Sequence, residues 1–462
     1  MKKIWIIWWW ASWMMTIATL LEMWCKVEHQ KNKWNEIFLD ERLIPTIWET
    51  VSLSEGNKLQ ISKTDRYKDQ IFLFEKNSKL GAKVLITWWG RCNLTTWIFN
   101  LRELLTKYPR GAEFLKKWLK IFWPKQVIQR FEKHGLETKI EKDNRVFPVS
   151  NKSKDVVWIF ENLIKQHENV EVKFNEEVNS IEKIANQFTL KTTQWEYIVD
   201  ILVIATGGSS YIQWAFNGYE MAKSLWHKIT QIWPSLTSFV TQDEWPKLLS
   251  WTSVQNACLE VITQNLTKNI SFWPLLFTHF GISWPAVFSM SALLAWDRMI
   301  DEKNDLTADC GLVVKIHLDK DKNFEFYDNF LLWEVKKNQN QNILNILSEL
   351  FPKKLSEEVL NIAQIGKDAK IWEVKKEERK ILCHLLSWQL ELKIIGRRPW
   401  EEFVSAWWVA TDEVNPETME SKICPNLYLC WEVLNVDGFT GGFNLQSAWM
   451  TWRVAGMWIV WK

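Results

Sequence analysis

Three tryptophans stand at the spacing of a phosphate-binding turn. Trp8, Trp10 and Trp13 follow the apolar residues 4–7 and precede a second apolar stretch in "KKIWIIWWWASWMMTIATLLE". Glycine at those three places would make the segment a strand, a G-x-G-x-x-G turn and a helix, the fingerprint of a dinucleotide site. Glycine serves there because the turn takes unusual dihedrals, the backbone must approach a pyrophosphate, and the helix must lie close on the strand. The helix start then offers N–H donors and a partial positive charge to the phosphates. A tryptophan at any of the three fills that space, so the chain taken literally should not bind a dinucleotide here.

The same substitution recurs elsewhere. The chain has 34 Trp against 16 Gly in 462 residues, an inversion of ordinary usage. The excess falls in Trp8-Trp9-Trp10, Trp88-Trp89 and Trp407-Trp408, and singly beside Pro, Arg, Asn or Glu in turn-like segments. The simplest cause is a gene whose UGA codons are rendered as Trp although its own cell reads them as Gly. A protein truly rich in tryptophan is the alternative.

A dinucleotide turn calls for an acidic partner at the end of the next strand, where a carboxylate can accept both ribose hydroxyls. Glu75 in "IFLFEKN" takes that place. It lies further along the chain than the usual ~20 residues, and the intervening residues 25–69 read as a surface excursion. A strand-end Glu in solvent is the competing reading.

Four further segments make a resemblance specific: "KLGAKVLITWWGRCNLTT" (79–96), "VIATGGSSY" (203–211), "LLFTHFGISWPAV" (275–287) and "TMESKICPNLYLCWEVLNVDGFTGGFNLQSAWMTWRVAG" (418–456). In this order they resemble a bacterial FAD-binding flavoprotein family of the aminoacetone oxidase-like and bile-acid dehydro-reductase-like type. The resemblance implies an FAD-dependent oxidoreductase. It implies that Arg91, Cys92 and Asn93 line the flavin side of the site, and that Ala205, Thr206 and Gly207 pass close to FAD. Trp431-Glu432 stands where the family has Gly-Glu, near the ribityl and pyrophosphate groups, and Asp437, Gly441, Gly442, Asn444 and Gln446 would close over the isoalloxazine. The loop after Tyr211, "IQWAFNGYEMA", is shorter and poorer in glycine than the family's, which puts its contacts in doubt.

His279 is the one histidine inside these motifs; a proton donor beside the flavin is one reading and a hydrogen-bonded structural residue the commoner one. Cys92 has no C-x-x-C partner, so packing is favoured over a redox role. The seven cysteines are scattered, without zinc spacing, as suits free thiols in a reducing cytoplasm. With 57 basic and 55 acidic residues, charge gives no reason to propose a nucleic-acid partner. The start, Lys2-Lys3 followed by apolar residues 4–21, imitates a secretory signal or membrane helix. A glycine-restored strand and helix explains it without a membrane.

The elements that must position these residues are those of an α/β protein. Residues 3–7, 70–75, 200–206 and 427–430 read as buried strands of a parallel sheet, short apolar runs each ending at a turn. Ligand would gather at their carboxyl ends. Residues 211–328 show short β-type runs, and 329–390 carry helical spacing through "QNILNILSELF", "SEEVLNIAQI" and "ERKILCHLLSWQLEL". The expected architecture is a discontinuous Rossmann-like FAD-binding domain from residues 1–210 and part of 391–462, enclosing a β-rich domain and a small helical subdomain. The expected chemistry is hydride or two-electron transfer on a small-molecule substrate, with NAD(P)H or oxygen completing the cycle. A non-catalytic flavin-binding redox sensor, or a Trp-rich membrane-associated protein with a ruined cofactor site, is the alternative.

Overall fold

The structure, a computed structural model, describes residues 2–8, 69–206, 218–230, 233–262, 268–296, 312–398, 404–406 and 409–461. Trp10, Trp13, Gly207, the helix expected after the first strand and nearly all of the 25–69 excursion lie outside the described residues. The chain divides into two compact units, one drawn from residues 1–209, 213–232 and 405–462 and the other chiefly from 233–404.

The first unit is organised by a five-stranded parallel sheet. Its strands are β1 (Lys3–Trp8), β2 (Gln70–Glu75), β3 (Val170–Phe174), β4 (Ile201–Ala205) and β5 (Leu427–Leu429), in the order β5-β4-β1-β2-β3. β1 lies between β2 and β4, so residues 3–8 form a central strand of a sheet. Four of the five strands are the apolar runs expected from the sequence. β4 is buried at every residue, as a strand covered on both faces must be. β3 was not expected, because "VEVKF" alternates apolar and charged residues. It occupies the sheet edge, where every side chain keeps some exposure and polar residues protect an unpaired rim.

The helix Phe443–Trp461 completes this unit. Ala448, Trp449, Met450, Trp452, Val454 and Ala455 are all buried, and a helix apolar all round belongs in a core. Trp449 stacks on Phe160 and meets Phe131 edge-on, with ring centroids 6.1 and 5.6 Å apart. Its indole N–H donates to the Leu94 carbonyl at 2.9 Å, which satisfies the polar end of a large buried ring. Among the described residues no helix is long and apolar enough to cross a membrane.

The second unit holds an eight-stranded sheet whose described pairings are antiparallel. Its helices share one core with that sheet: Leu259, Phe277 and Ile316 belong to the same cluster as Tyr327, Leu347 and Leu360. In Ile343–Ser348, Ile343, Ile346 and Leu347 are buried at three- and four-residue spacing. The third expected helix is shorter than the sequence pattern implied. The chain leaves the helix Lys376–His384, passes through a single wide turn and becomes the strand Leu390–Arg397. The change follows from "LELKI", where Leu390, Leu392 and Ile394 are buried while Glu391 and Lys393 are exposed; a period of two overrides the helical spacing before it.

Candidate functional site

The parallel register brings three of the expected site residues together at one end of the sheet. Trp8, the last residue of β1, pairs with Glu75 on one side and Ala205 on the other. Ligands of open α/β sheets collect at such carboxyl ends. Thr206, the next residue, is 2% exposed, and a Cβ on Gly218 would lie 2.0 Å from its hydroxyl. Glycine at 218 therefore lets the following helix approach the end of β4.

Glu75 is fully buried. Its Oε1 accepts from the backbone N–H of Asn77 at 2.8 Å and from the Asn77 side-chain amide at 2.7 Å. Its Oε2 is buried and has no hydrogen-bond partner among the described residues. Burial pushes the carboxyl up to about 8, and the Asn77 bonds only partly oppose it. A solvated strand-end Glu would show neither property. A buried acceptor with one oxygen unfilled fits the hydroxyls of a ribose.

A second group of expected residues gathers around the start of the C-terminal helix. Gly441 and Gly442 have φ of 129° and 88°, conformations reserved for glycine. A Cβ on Gly442 would sit 2.4 Å from the Thr95 carbonyl oxygen. The side chains around this turn are committed to holding it. Asn444 grips Gly438 twice, accepting from its N–H and donating to its carbonyl, both at 2.8 Å. Gln446 accepts from the Thr95 hydroxyl at 2.6 Å and donates to the Phe122 carbonyl at 3.0 Å. Asp437 is buried against Arg110 in a two-pronged ion pair. What the turn can offer a ligand is therefore its backbone N–H groups at a helix start.

Arg110 and Tyr108, which donates from its hydroxyl to the Phe443 carbonyl at 2.9 Å, were not singled out from the sequence. The signal for them was the turn "YPRG". Gly111 adopts φ 75°, and a Cβ there would lie 2.5 Å from Val436.

The "GRCN" residues divide. Arg91 forks onto the Asn151 side chain at 3.1 and 2.9 Å, pairs with Glu141 and stacks 4.0 Å over the Phe147 ring. Its guanidinium is thus engaged within the protein. Cys92 is fully buried, and burial pushes its thiol up to about 12, which removes the thiolate that redox chemistry requires. Asn93 is 1% exposed; its Oδ1 accepts from Val146 N–H at 3.2 Å. Its Nδ2 is buried without a partner among the described residues, a second unfilled polar atom in this unit. Glu432 is buried as well. His279 belongs to the second unit, where it is exposed at a turn.

Backbone geometry bears on the tryptophans. Trp226, Trp251, Trp284 and Trp431 have φ of 70°, 69°, 82° and 61°, in the left-handed region that a bulky side chain avoids. Among the described residues, Asn, which tolerates this region, supplies the same number of such positions. Trp226 and Trp251 are 66% and 85% exposed, so no packing of the ring explains their conformation. Trp251→Gly is expected to raise stability by about 1 kcal/mol, the relief of a left-handed side chain. Denaturant unfolding of the two proteins measures this, and a loss of stability would show that the indole has a role.

The chain is similar to known proteins over most of its length. The profile described as the HI0933-like protein Rossmann domain matches residues 60–458. The 3-dehydro-bile acid delta(4,6)-reductase of Clostridium scindens is 26% identical over 399 residues, covering 84% of this chain and 92% of that protein. The ribosomal RNA dihydrouridine synthase of Escherichia coli K12 is 27% identical over 391 residues, covering 84% and 91%. The quinol fumarate reductase FrdA of E. coli aligns with 99% of this chain and 70% of its own at 10% identity, with a TM-score of 0.43. The chain belongs to the HI0933-like family of FAD-binding Rossmann flavoproteins, whose members are oxidoreductases.

Proposed function

We propose that this protein is an FAD-dependent reductase that adds hydrogen across a carbon–carbon double bond conjugated to a carbonyl group in a small molecule, using NAD(P)H as the reductant. The flavin half of this reading is carried by Glu75, buried at the end of β2 with an unfilled oxygen. The reaction class is supported by the relatives' names, since a delta(4,6)-reductase and a dihydrouridine synthase each add hydrogen across a ring double bond. In balance, NAD(P)H gives a hydride, solvent gives a proton, and the double bond becomes a single bond bearing two new hydrogens.

When bound, FAD supplies two-electron transfer. The chain's own residues bind and orient. Glu75 accepts from ribose hydroxyls, and Asn93 offers its unused amide N–H. The backbone N–H groups at Gly441 and Gly442, with the positive end of the C-terminal helix dipole behind them, favour negative charge. The written Trp8, Trp10 and Trp13 oppose this assignment sterically, and glycine at those positions is part of the proposal. So is glycine at Trp431, where the left-handed φ already fits.

Glu75 makes cofactor uptake proton-linked. Its folded-state pKa is raised, so the cofactor-free protein holds a proton that the unfolded chain has released. Stability from this group is complete below 4.5 and is lost as pH rises towards about 8. Ribose hydroxyls donating to the carboxylate favour the charged form. FAD binding between pH 4.5 and about 8 is therefore expected to release up to one proton and to tighten with rising pH. Calorimetric titration in buffers of different ionisation enthalpy measures the release. Proton uptake, or an unchanged release in Glu75→Gln, would contradict the role.

The function is tested by anaerobic mixing of the flavin-loaded protein with NADH or NADPH, followed by an α,β-unsaturated ketone. Bleaching of the flavin and its restoration by the ketone are expected. Restoration by oxygen alone would indicate an oxidase, and bleaching without turnover of any acceptor would favour a redox sensor. Two relatives are named as ribosomal RNA dihydrouridine synthases. A uridine-containing RNA is accordingly the second acceptor to assay.

A further inference from the structure

The first unit releases the chain after residue 232 and takes it back at 405. Exit and return run side by side within that unit. Ile229 and Val409 form an antiparallel bridge, and the Ala410 N–H donates to the Lys228 carbonyl at 3.4 Å. The return segment is stitched onward: the Val409 N–H donates to the Val433 carbonyl at 2.9 Å, and the Val409 carbonyl accepts from the Asn435 N–H at 3.0 Å. Asn435 in turn leads to Asp437, which anchors the glycine turn.

One pair of side chains fastens exit to return. The helix Gly218–Ser224 closes with Trp226 in the left-handed region and with the His227 N–H donating back to the Ala222 carbonyl at 3.1 Å, as in a Schellman cap. His227 then meets Glu413, with Nδ1 2.9 Å from Oε2. The same oxygen accepts the Lys228 N–H at 2.9 Å. A carboxylate only accepts, so Nδ1 carries the ring proton and Nε2 is left bare. The His227 side chain is fully buried, and Nε2 has no hydrogen-bond partner among the described residues. The charged neighbours are Glu220, Lys223 and Lys228 beside His227 in the chain, and Asp412 and Lys422 beside Glu413. All but Glu220 are exposed, and Glu413 is the charged group that bears on the ring's protonation.

We infer that His227 and Glu413 form a proton-operated clasp that holds the exit and return segments together at neutral pH and opens on acidification. A second ring proton would create a buried N–H on Nε2 with no acceptor among the described residues, and such a group is costly to leave unmet. Burial outweighs the attraction of Glu413 for a charged ring, so His227 titrates below its ordinary value of 6.5. The closed clasp thus holds the neutral ring. Its contribution to stability is complete above 6.5 and is lost as pH falls through the folded-state value. Opening involves no flavin, so the clasp stands independently of the proposed reductase.

The test is hydrogen exchange, read by mass spectrometry on the full-length protein from about pH 8 to about pH 5, the range in which histidine titrates, with labelling times scaled to the intrinsic rate at each pH. Peptides covering residues 225–230 and 409–414 are expected to lose protection below 6.5 by up to about tenfold per pH unit, the slope for one proton, while β4 keeps its protection. Glu75 cannot produce this response, since its contribution to stability grows as pH falls. His227→Asn keeps an N–H towards Glu413 but cannot titrate, and should remove the response. Glu413→Gln keeps an acceptor but loses the charge that favours protonation, and should move the response to lower pH; it decides the matter if His227→Asn is unstable. Full protection of both segments at the lowest pH, an equal loss from β4, the parent's response persisting in His227→Asn, or an unmoved response in Glu413→Gln would each overturn the clasp.

Discussion

Arg110→Met is expected to lower the free energy of unfolding by about 3–5 kcal/mol, the cost of leaving a buried charge without its partner. The two side chains of the Arg110–Asp437 pair are each 1% exposed, so neither solvent nor salt can replace the missing guanidinium. The pair ties the segment at 108–111 to the one that leads into the glycine turn, and Arg110 and Asp437 also meet as a backbone bridge. Flavin retention should fall with stability. The double variant Arg110→Met/Asp437→Leu should recover most of the stability, since exchanging a buried ion pair for apolar side chains is commonly neutral or favourable. Denaturant unfolding of the three proteins decides this. A loss below about 1 kcal/mol in the single variant, the scale of an exposed pair, would mean that the pair is solvated.

Gly442→Ala is expected to be the most damaging single change at the site itself. The added Cβ would meet the Thr95 carbonyl oxygen at 2.4 Å and its carbonyl carbon at 2.6 Å. Both are backbone atoms, which cannot swing aside. The left-handed φ of 88° adds about 1–2 kcal/mol of strain. The turn must then withdraw from Thr95, breaking the Thr95–Gln446 bond and displacing the N–H groups proposed to face the flavin. Purified Gly442→Ala should carry little FAD at the protein concentration that saturates the parent. Gly366→Ala, where an added Cβ meets nothing within 4 Å, is the control and should retain it. Equal flavin content in the two variants would remove the turn from the binding site.

The sequence revealed the skeleton of this site better than its chemistry. β2, β4 and β5 were legible as short apolar runs that end at a turn, and β1 by the glycine-spaced tryptophans that follow it. β3 was not, because at the sheet edge it carries Glu171 and Lys173 between its apolar residues. Glu75 was legible as the residue ending β2, and its burial sets aside the reading of a solvated strand-end Glu. Asn444, Gln446 and Arg91 illustrate the limit. Their types and positions in the motif suit a flavin, but an amide that will grip a backbone carbonyl reads the same as one that will face a ligand. Arg110 was hidden for a related reason: its partner Asp437 lies 327 positions away, and no local pattern links them. The strand Leu390–Arg397 was absorbed into a helix because its period of two begins where the helical period has not visibly ended.

The tryptophans join sequence and structure most closely. Trp8, Trp10 and Trp13 repeat the spacing of a glycine turn, and Trp226, Trp251, Trp284 and Trp431 repeat its backbone conformation. These observations are independent, since one concerns order along the chain and the other dihedral angles at different positions. Glycine is the cause we propose for both.

The most direct test is a peptide mass spectrum of the protein purified from its own cells, covering residues 3–22. If the dinucleotide turn is built of glycine, the peptide will be lighter than the written sequence by whole multiples of the difference between tryptophan and glycine, with Trp8, Trp10 and Trp13 among the affected positions. A peptide that carries all three tryptophans would contradict the account: the pyrophosphate cradle would be filled, and Glu75 would stand beside a site that FAD cannot enter.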